Sequence, residues 1–112
     1  MFEPIELTEE IGNELREKYP GKLHRLNLIE PEQTIIFKRP SWAVYSQSLD
    51  QLTDDDESKA RAIKGLVDAC VVFPSKDAMK ELLDDYPGVA GTISKQIQAA
   101  SGLDLKKTAT KF

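Results

Sequence analysis

The sequence predicts an α+β domain: an N-terminal helix, a two-stranded β-hairpin, then a four-helix C-terminal core. Three observations carry this. Within residues 23–38 apolar side chains recur two apart, Leu26 with Leu28 and Ile35 with Phe37, the period of a strand, whereas the segments on both sides place apolar residues three and four apart. Pro-Gly and Pro-Ser pairs at 20–21, 40–41, 74–75 and 87–88 then divide the helical segments from their neighbours.

Thr8 is placed to cap a helix running through Tyr19, with Glu9 and Glu10 in the first turn, where the helix dipole favours negative charge. Leu7, Ile11, Leu15 and Tyr19 give it a narrow apolar stripe, and Pro20-Gly21 ends it. Leu23 to Ile29 and Thr34 to Lys38 read as strands, with Leu26 and Leu28 on one face of the first and Ile35 and Phe37 on one face of the second. Glu30-Pro31-Glu32-Gln33 joins them, a length suited to a hairpin. Two strands alone are marginal in water, so the hairpin must lie on helices or find a third strand, which a partner could supply.

Ser41 is placed to cap a helix to about Leu52, along which Trp42, Tyr45, Leu49 and Leu52 share one side. Thr53 to Glu57 is an acidic loop or the exposed first turn of the next helix. From Ser58 the helical period is strong, with Ile63, Leu66, Val67, Cys70 and Val71 on one face. Pro74 cuts the apolar run Ala69 to Phe73, and Ser75 caps a further helix with the face Met79, Leu82, Leu83 and Tyr86. Pro87 suits the start of a last helix, where its missing N–H costs nothing. Val89, Ala90, Ile93, Ile97 and Ala100 form its apolar side, and Gly102 suits the position just past its end. The expected domain is thus residues 1–102, and 103–112 reads as a flexible tail. The predicted core is Leu66, Val67, Cys70, Val71, Met79, Leu82, Leu83, Ile93 and Ile97. Tyr19-Pro20-Gly21 and Tyr86-Pro87-Gly88 echo one another, which points to shared turn chemistry rather than duplication.

Length and charge narrow the function. The 112 residues suffice for one core. A net charge of −4 disfavours non-specific binding to nucleic acid or an anionic membrane, both of which call for a positive field. No stretch approaches the roughly 18 apolar residues of a spanning helix, and the start lacks the basic and apolar regions of a signal peptide. The single cysteine fits a reducing compartment. A cytoplasmic protein is expected.

The side chains offer little catalytic chemistry. Asp54-Asp55-Asp56-Glu57 resembles the start of a calcium loop, but an EF-hand counted from Asp54 needs glycine sixth and glutamate twelfth, where Lys59 and Gly65 stand. Cys70 lies between Ala69 and Val71 on an apolar helix face, as a small buried side chain would. Its only histidine partner would be His24, in a predicted strand. Asp84-Asp85 are neighbours that point apart on a helix and read as solvent-facing. No Walker-type loop, GxSxG, HExxH or CxxC occurs. No catalytic residue, metal site or cofactor is therefore expected. Lys38 to Trp42, KRPSW, joins two basic residues to an aromatic, a pairing seen in nucleic-acid sites, but a single such cluster on an acidic chain favours a core or partner contact.

Phe37-Lys38-Arg39-Pro40-Ser41 with Tyr45, then LVDACVVFPSKDAMKELLDDYPGVAGTIS from Leu66 to Ser94, resemble the small tail assembly chaperones of long-tailed bacteriophages. The likeness covers residues 35–102 through an F-x-R-P opening, a CVV-aromatic-P-S joint and a YPG stop. It departs from the largely helical members of that family in the hairpin at 23–38. The resemblance implies a non-enzymatic protein of the infected bacterium's cytoplasm, a morphogenesis factor that keeps the long helical tape-measure protein soluble until tail-tube subunits polymerise around it. The implied partners are the tape-measure protein and, beside it, tail-tube subunits, with neither nucleic acid nor membrane; weak self-association is compatible. Phe37, Trp42, Tyr45 and Phe73, aromatics near element ends, form the expected partner contact set, with the core as the alternative place for each. The alternative function is a tail structural or adaptor protein assembling through its hairpin edge or its helices.

Overall fold

The computed structural model describes residues 2–21, 23–50 and 56–102. Leu52, the acidic stretch before Asp56 with its calcium-loop candidate at Asp54, and the segment 103–112 lie outside the described residues. The order is α1 (Glu9–Lys18), β1 (Leu23–Ile29), β2 (Glu32–Lys38), α2 (Trp42–Asp50), α3 (Asp56–Cys70), β3 (Val71–Phe73), α4 (Lys76–Asp85) and α5 (Val89–Ala100). The class is α+β, as the sequence predicts. The sheet, however, has three antiparallel strands in the order β1-β2-β3 rather than two.

The added strand comes from a segment whose helical spacing is misleading. Val71 continues the α3 face by sequence, four residues after Val67, but α3 stops at Cys70. Val71, Val72 and Phe73 are residue types that suit a pleated surface, and Phe73 precedes a proline, which disfavours helical backbone there. The chain therefore extends and pairs with the free edge of β2. The third strand that the hairpin called for, and that a partner could have supplied, thus comes from within the chain. Phe37 pairs with Val71 and Ile36 with Phe73, so two residues advance on β3 for one on β2. That irregularity turns Val71 toward the same face as Phe37 and Phe73 toward the face of Ile36.

The hairpin is also tighter than its sequence suggests. Ile29 pairs with Glu32, leaving only Glu30-Pro31 as the turn, and Glu32 and Gln33 belong to β2. His24, Leu26 and Leu28 stand opposite Phe37, Ile35 and Gln33, and these six share the face that meets the helices. Being central, β2 is buried on both faces at Ile35, Ile36 and Phe37.

The core joins Ile35 and Phe37 to Leu66, Val67 and Cys70 of α3, Met79 and Leu82 of α4, and Ile93 and Ile97 of α5. Val71 and Leu83, predicted in the core, are partly buried against it. Phe2 completes it at 6% exposure. The segment carrying Phe2 is held by polar contacts. The Phe2 N–H donates to the Asp85 carboxylate at the end of α4, so Asp85 is not a mere solvent-facing spacer. The Gln33 side chain donates to the Ile5 carbonyl at 3.0 Å and accepts the Ile5 N–H at 2.8 Å.

Helix ends follow their sequence signals. Thr8 Oγ1 accepts the Ile11 N–H and Ser75 Oγ the Ala78 N–H, closing α1 and α4 at their N-termini. Tyr19 and Tyr86 end these helices with nearly equal backbone angles, φ −129° and −134°, each donating its N–H to a leucine carbonyl, Leu15 or Leu82. The paths diverge two residues on. Gly21 takes φ +72°, a left-handed conformation that favours glycine, and leads to a strand; Gly88 keeps φ −65° and leads into α5. Gly102, at φ +98°, stands just past the end of α5.

Candidate functional site

The surface that stands out lies where β2 passes into α2. After Lys38 the chain turns through Arg39-Pro40, and Ser41 Oγ accepts the Val44 N–H at 3.3 Å, so Ser41 caps α2. This cap sets the first helical residue, Trp42, outside the fold. Trp42 is 76% exposed, although an indole is among the most costly side chains to leave in water. Tyr45, three residues on and half-buried, stacks beside it with ring centroids 6.5 Å apart and planes 26° apart.

Two concavities flank the Pro40-Ser41 turn. One, of about 390 Å³, is lined by Tyr19, Lys38, Arg39, Val44 and Cys70 as well as the turn itself. The other, of about 370 Å³, lies between Trp42, Tyr45 and the end of α5 at Ser101 and Gly102. The first is basic in its charged lining. Lys38 Nζ stands 5.3 Å from the centroid of the Tyr19 ring and Lys18 Nζ 5.5 Å, so the ring of the α1 cap lies under two ammonium groups. The result is a continuous aromatic and basic surface from Tyr19 through Lys38 and Arg39 to Trp42 and Tyr45.

The four aromatics expected to meet a partner divide into two pairs. Phe37 is 3% exposed in the main core, and Phe73 is 6% exposed opposite Ile36, so neither offers a surface. Trp42 and Tyr45 are brought together and do offer one. Lys38 and Arg39 were visible in the KRPSW motif; Tyr19 was visible only as a helix-end aromatic, and nothing local in sequence joins it to Lys38.

The remaining reactive groups occupy structural places. Cys70 is fully buried, and burial pushes its thiol up to about 11, with the Lys38 charge pulling weakly the other way. Such a thiol is protonated at neutral pH and a poor nucleophile. His24 stacks on the Phe37 ring, centroids 5.4 Å apart. Among the described residues no cluster of His, Cys, Asp or Glu is arranged to hold a metal ion, and no helix is long and apolar enough to cross a membrane. A third groove, of about 540 Å³, runs between α3, α4 and α5, with Met79, Leu83, Pro87 and Ala90 in its apolar lining and Lys64, Lys76 and Lys80 among its charged residues.

Architecture and surface together define a small α+β domain built on a three-stranded antiparallel sheet packed with helices. The chain belongs to the family described as a domain of unknown function, DUF6848, which matches residues 15–111. Its structure is similar to that of the uncharacterised protein rbstp2171 from Bacillus stearothermophilus, with a TM-score of 0.72 over 90% of this chain and 98% of that one. Sequence identity between the two is 21%, so the likeness is one of fold. No functionally curated protein matches the chain.

Proposed function

We propose that this protein is a non-enzymatic tail assembly chaperone of a long-tailed bacteriophage, acting in the host cytoplasm and holding helices of the tape-measure protein against its Trp42–Tyr45 surface. The observation that carries the binding role is the exposed Trp42 indole, stacked on Tyr45 beside a concavity. Large, stiff aromatic side chains bury much area at little conformational cost, and they are the residues that anchor protein interfaces. An amphipathic client helix would lay its apolar side over the two rings, as helix-in-groove recognition requires. Lys38 and Arg39 beside the turn would meet acidic residues flanking that stripe. The identity of the client comes from the resemblance of residues 35–102 to the chaperone family. Many copies along one long client allow each contact to be weak and readily displaced by tail-tube subunits.

Trp42 is the only tryptophan, so its fluorescence reports this surface alone. Co-expression with a tape-measure fragment should carry that fragment into the soluble fraction, Trp42→Ala should abolish the gain, and adding the fragment to purified protein should shift Trp42 emission to shorter wavelength. A fragment that stays insoluble and leaves the emission unchanged would overturn the assignment.

A further inference from the structure

Among the described residues, the outer edge of β1 is the long unpaired edge of the sheet. β1 has seven residues, whereas β3, at the opposite edge, has three and an irregular register. Among the described residues, the backbone pairing of β1 is with β2 alone. Exposed edges are ordinarily blunted by lysine, proline, bulges or short length. β1, LHRLNLI, is regular along its whole length, has no lysine or proline, carries Arg25 as its one permanent charge, and ends on Ile29 at 85% exposure.

We propose that the protein forms a two-fold dimer in which β1 pairs antiparallel with β1 of a second copy, Leu26 against Leu26, joining two three-stranded sheets edge to edge. Symmetry limits the choices. A dyad normal to the sheet keeps each face on its own side, so it must pass through a residue pair and not between residues. Centred on Leu26, it uses all seven residues and sets Leu23 opposite Ile29, His24 opposite Leu28, and Arg25 opposite Asn27.

Each of those pairings is favourable. On the face of Ile35 and Phe37, half-buried Leu26 meets its own copy, and Leu28 meets the His24 ring that already stacks on Phe37. On the other face, exposed Ile29 meets half-buried Leu23. Arg25 Nε already donates to Asn27 Oδ1 along the strand at 3.2 Å, so the two groups are hydrogen-bonding partners that the dyad sets across the interface as well. The neighbouring registers are worse. A dyad on Arg25 opposes two guanidinium groups, which is destabilising. One on Asn27 puts Arg25 against Ile29 and leaves Leu23 and His24 beyond the ladder. The occupant that fits this edge is therefore a second copy.

The experiment is sedimentation equilibrium on the full chain over a wide concentration range, with circular dichroism to verify the fold of each variant. A concentration-dependent dimer is expected. N27R opposes like charges twice across the dyad and should weaken the dimer about tenfold, while N27E should tighten it by a similar factor. R25E/N27R sets opposite charges across the dyad and should recover the affinity that N27R loses. If N27R fails to fold, N27E and the wild type still decide the matter. A monomer at all concentrations overturns the proposal, as does a dimer whose dissociation constant ignores these charges or shifts in the same direction for N27R and N27E.

Discussion

The Gln33 side-chain amide meets Ile5 as a neighbouring strand would, donating to its carbonyl at 3.0 Å and accepting its N–H at 2.8 Å. The second Nε2 hydrogen goes to the Thr34 carbonyl at 2.8 Å, so a buried amide satisfies both of its donors and its acceptor. With Phe2 in the core and its N–H on Asp85, the segment before α1 is fastened to the start of β2 and the end of α4. It is a part of the fold rather than a loose leader to the first helix.

Gln33→Ala should therefore cost about 1–3 kcal/mol, because it leaves the Ile5 groups without partners in a partly buried place. Gln33→Glu should cost more. A carboxylate accepts only, so it loses both donations and brings two carbonyls against a negative charge. Urea unfolding gives the size, and amide exchange at Ile5 gives the location: exchange there should quicken in both variants, while amides within α5 change only with global stability. Unchanged exchange at Ile5 would mean that Phe2 alone holds the segment.

Much of this architecture is legible in the sequence because side-chain period is a local property. The helix faces through Leu66, Val67, Leu82, Ile93 and Ile97 and the alternation through Ile35 and Phe37 are set by neighbours along the chain, and their burial follows. The caps at Thr8 and Ser75 are readable for the same reason. What escapes is non-local. Val71 fits a helix face by spacing and a strand by residue type, and only the vacant edge of β2 decides between them. Gln33 looks like a turn residue until Ile5 lies beside it. Phe2 has no periodic neighbours, so nothing marks it as core. In the candidate site, KRPSW gives the chemistry of Lys38 and Arg39, but the exposure of Trp42 depends on the α2 cap, and Tyr19 joins only through the packing of α1 near Lys38.

The two capping residues provide a comparison in which chemistry is shared and context is not. Ser75 closes α4, whose Ala78, Met79 and Leu82 are buried, and Thr8 closes α1, which buries no residue. Loss of either side-chain oxygen should destabilise its helix by about 0.5–2 kcal/mol. Fraying α4 disturbs the core, so Ser75→Ala should lower global stability by most of that amount. Fraying α1 costs little packing, so Thr8→Ala should appear as faster exchange within α1 with almost no change in the unfolding midpoint. Equal losses of global stability for the two would show that α1 is coupled to the core as firmly as α4.

Cys70 sets a pH dependence whose sign follows from its burial. The unfolded thiol ionises near 9.0, and burial holds the folded thiol up to about 11. Between those values the unfolded chain has released a proton that the native protein retains, so stability falls as pH rises from about 9 and the loss is complete above about 11. The thiol should account for roughly 2–3 kcal/mol of it. Lysine and tyrosine titrate in the same range, so the test is a difference. Cys70→Ala should be less stable than the wild type at pH 7, because it removes a buried sulfur, but its stability should decline less steeply above pH 9, and the two curves should draw together. Native Cys70 should also react with a thiol reagent at pH 7 only as fast as the fold opens, since burial keeps solvent from the sulfur and the thiol protonated. Parallel stability curves, or rapid labelling in the absence of denaturant, would place the sulfur in contact with water.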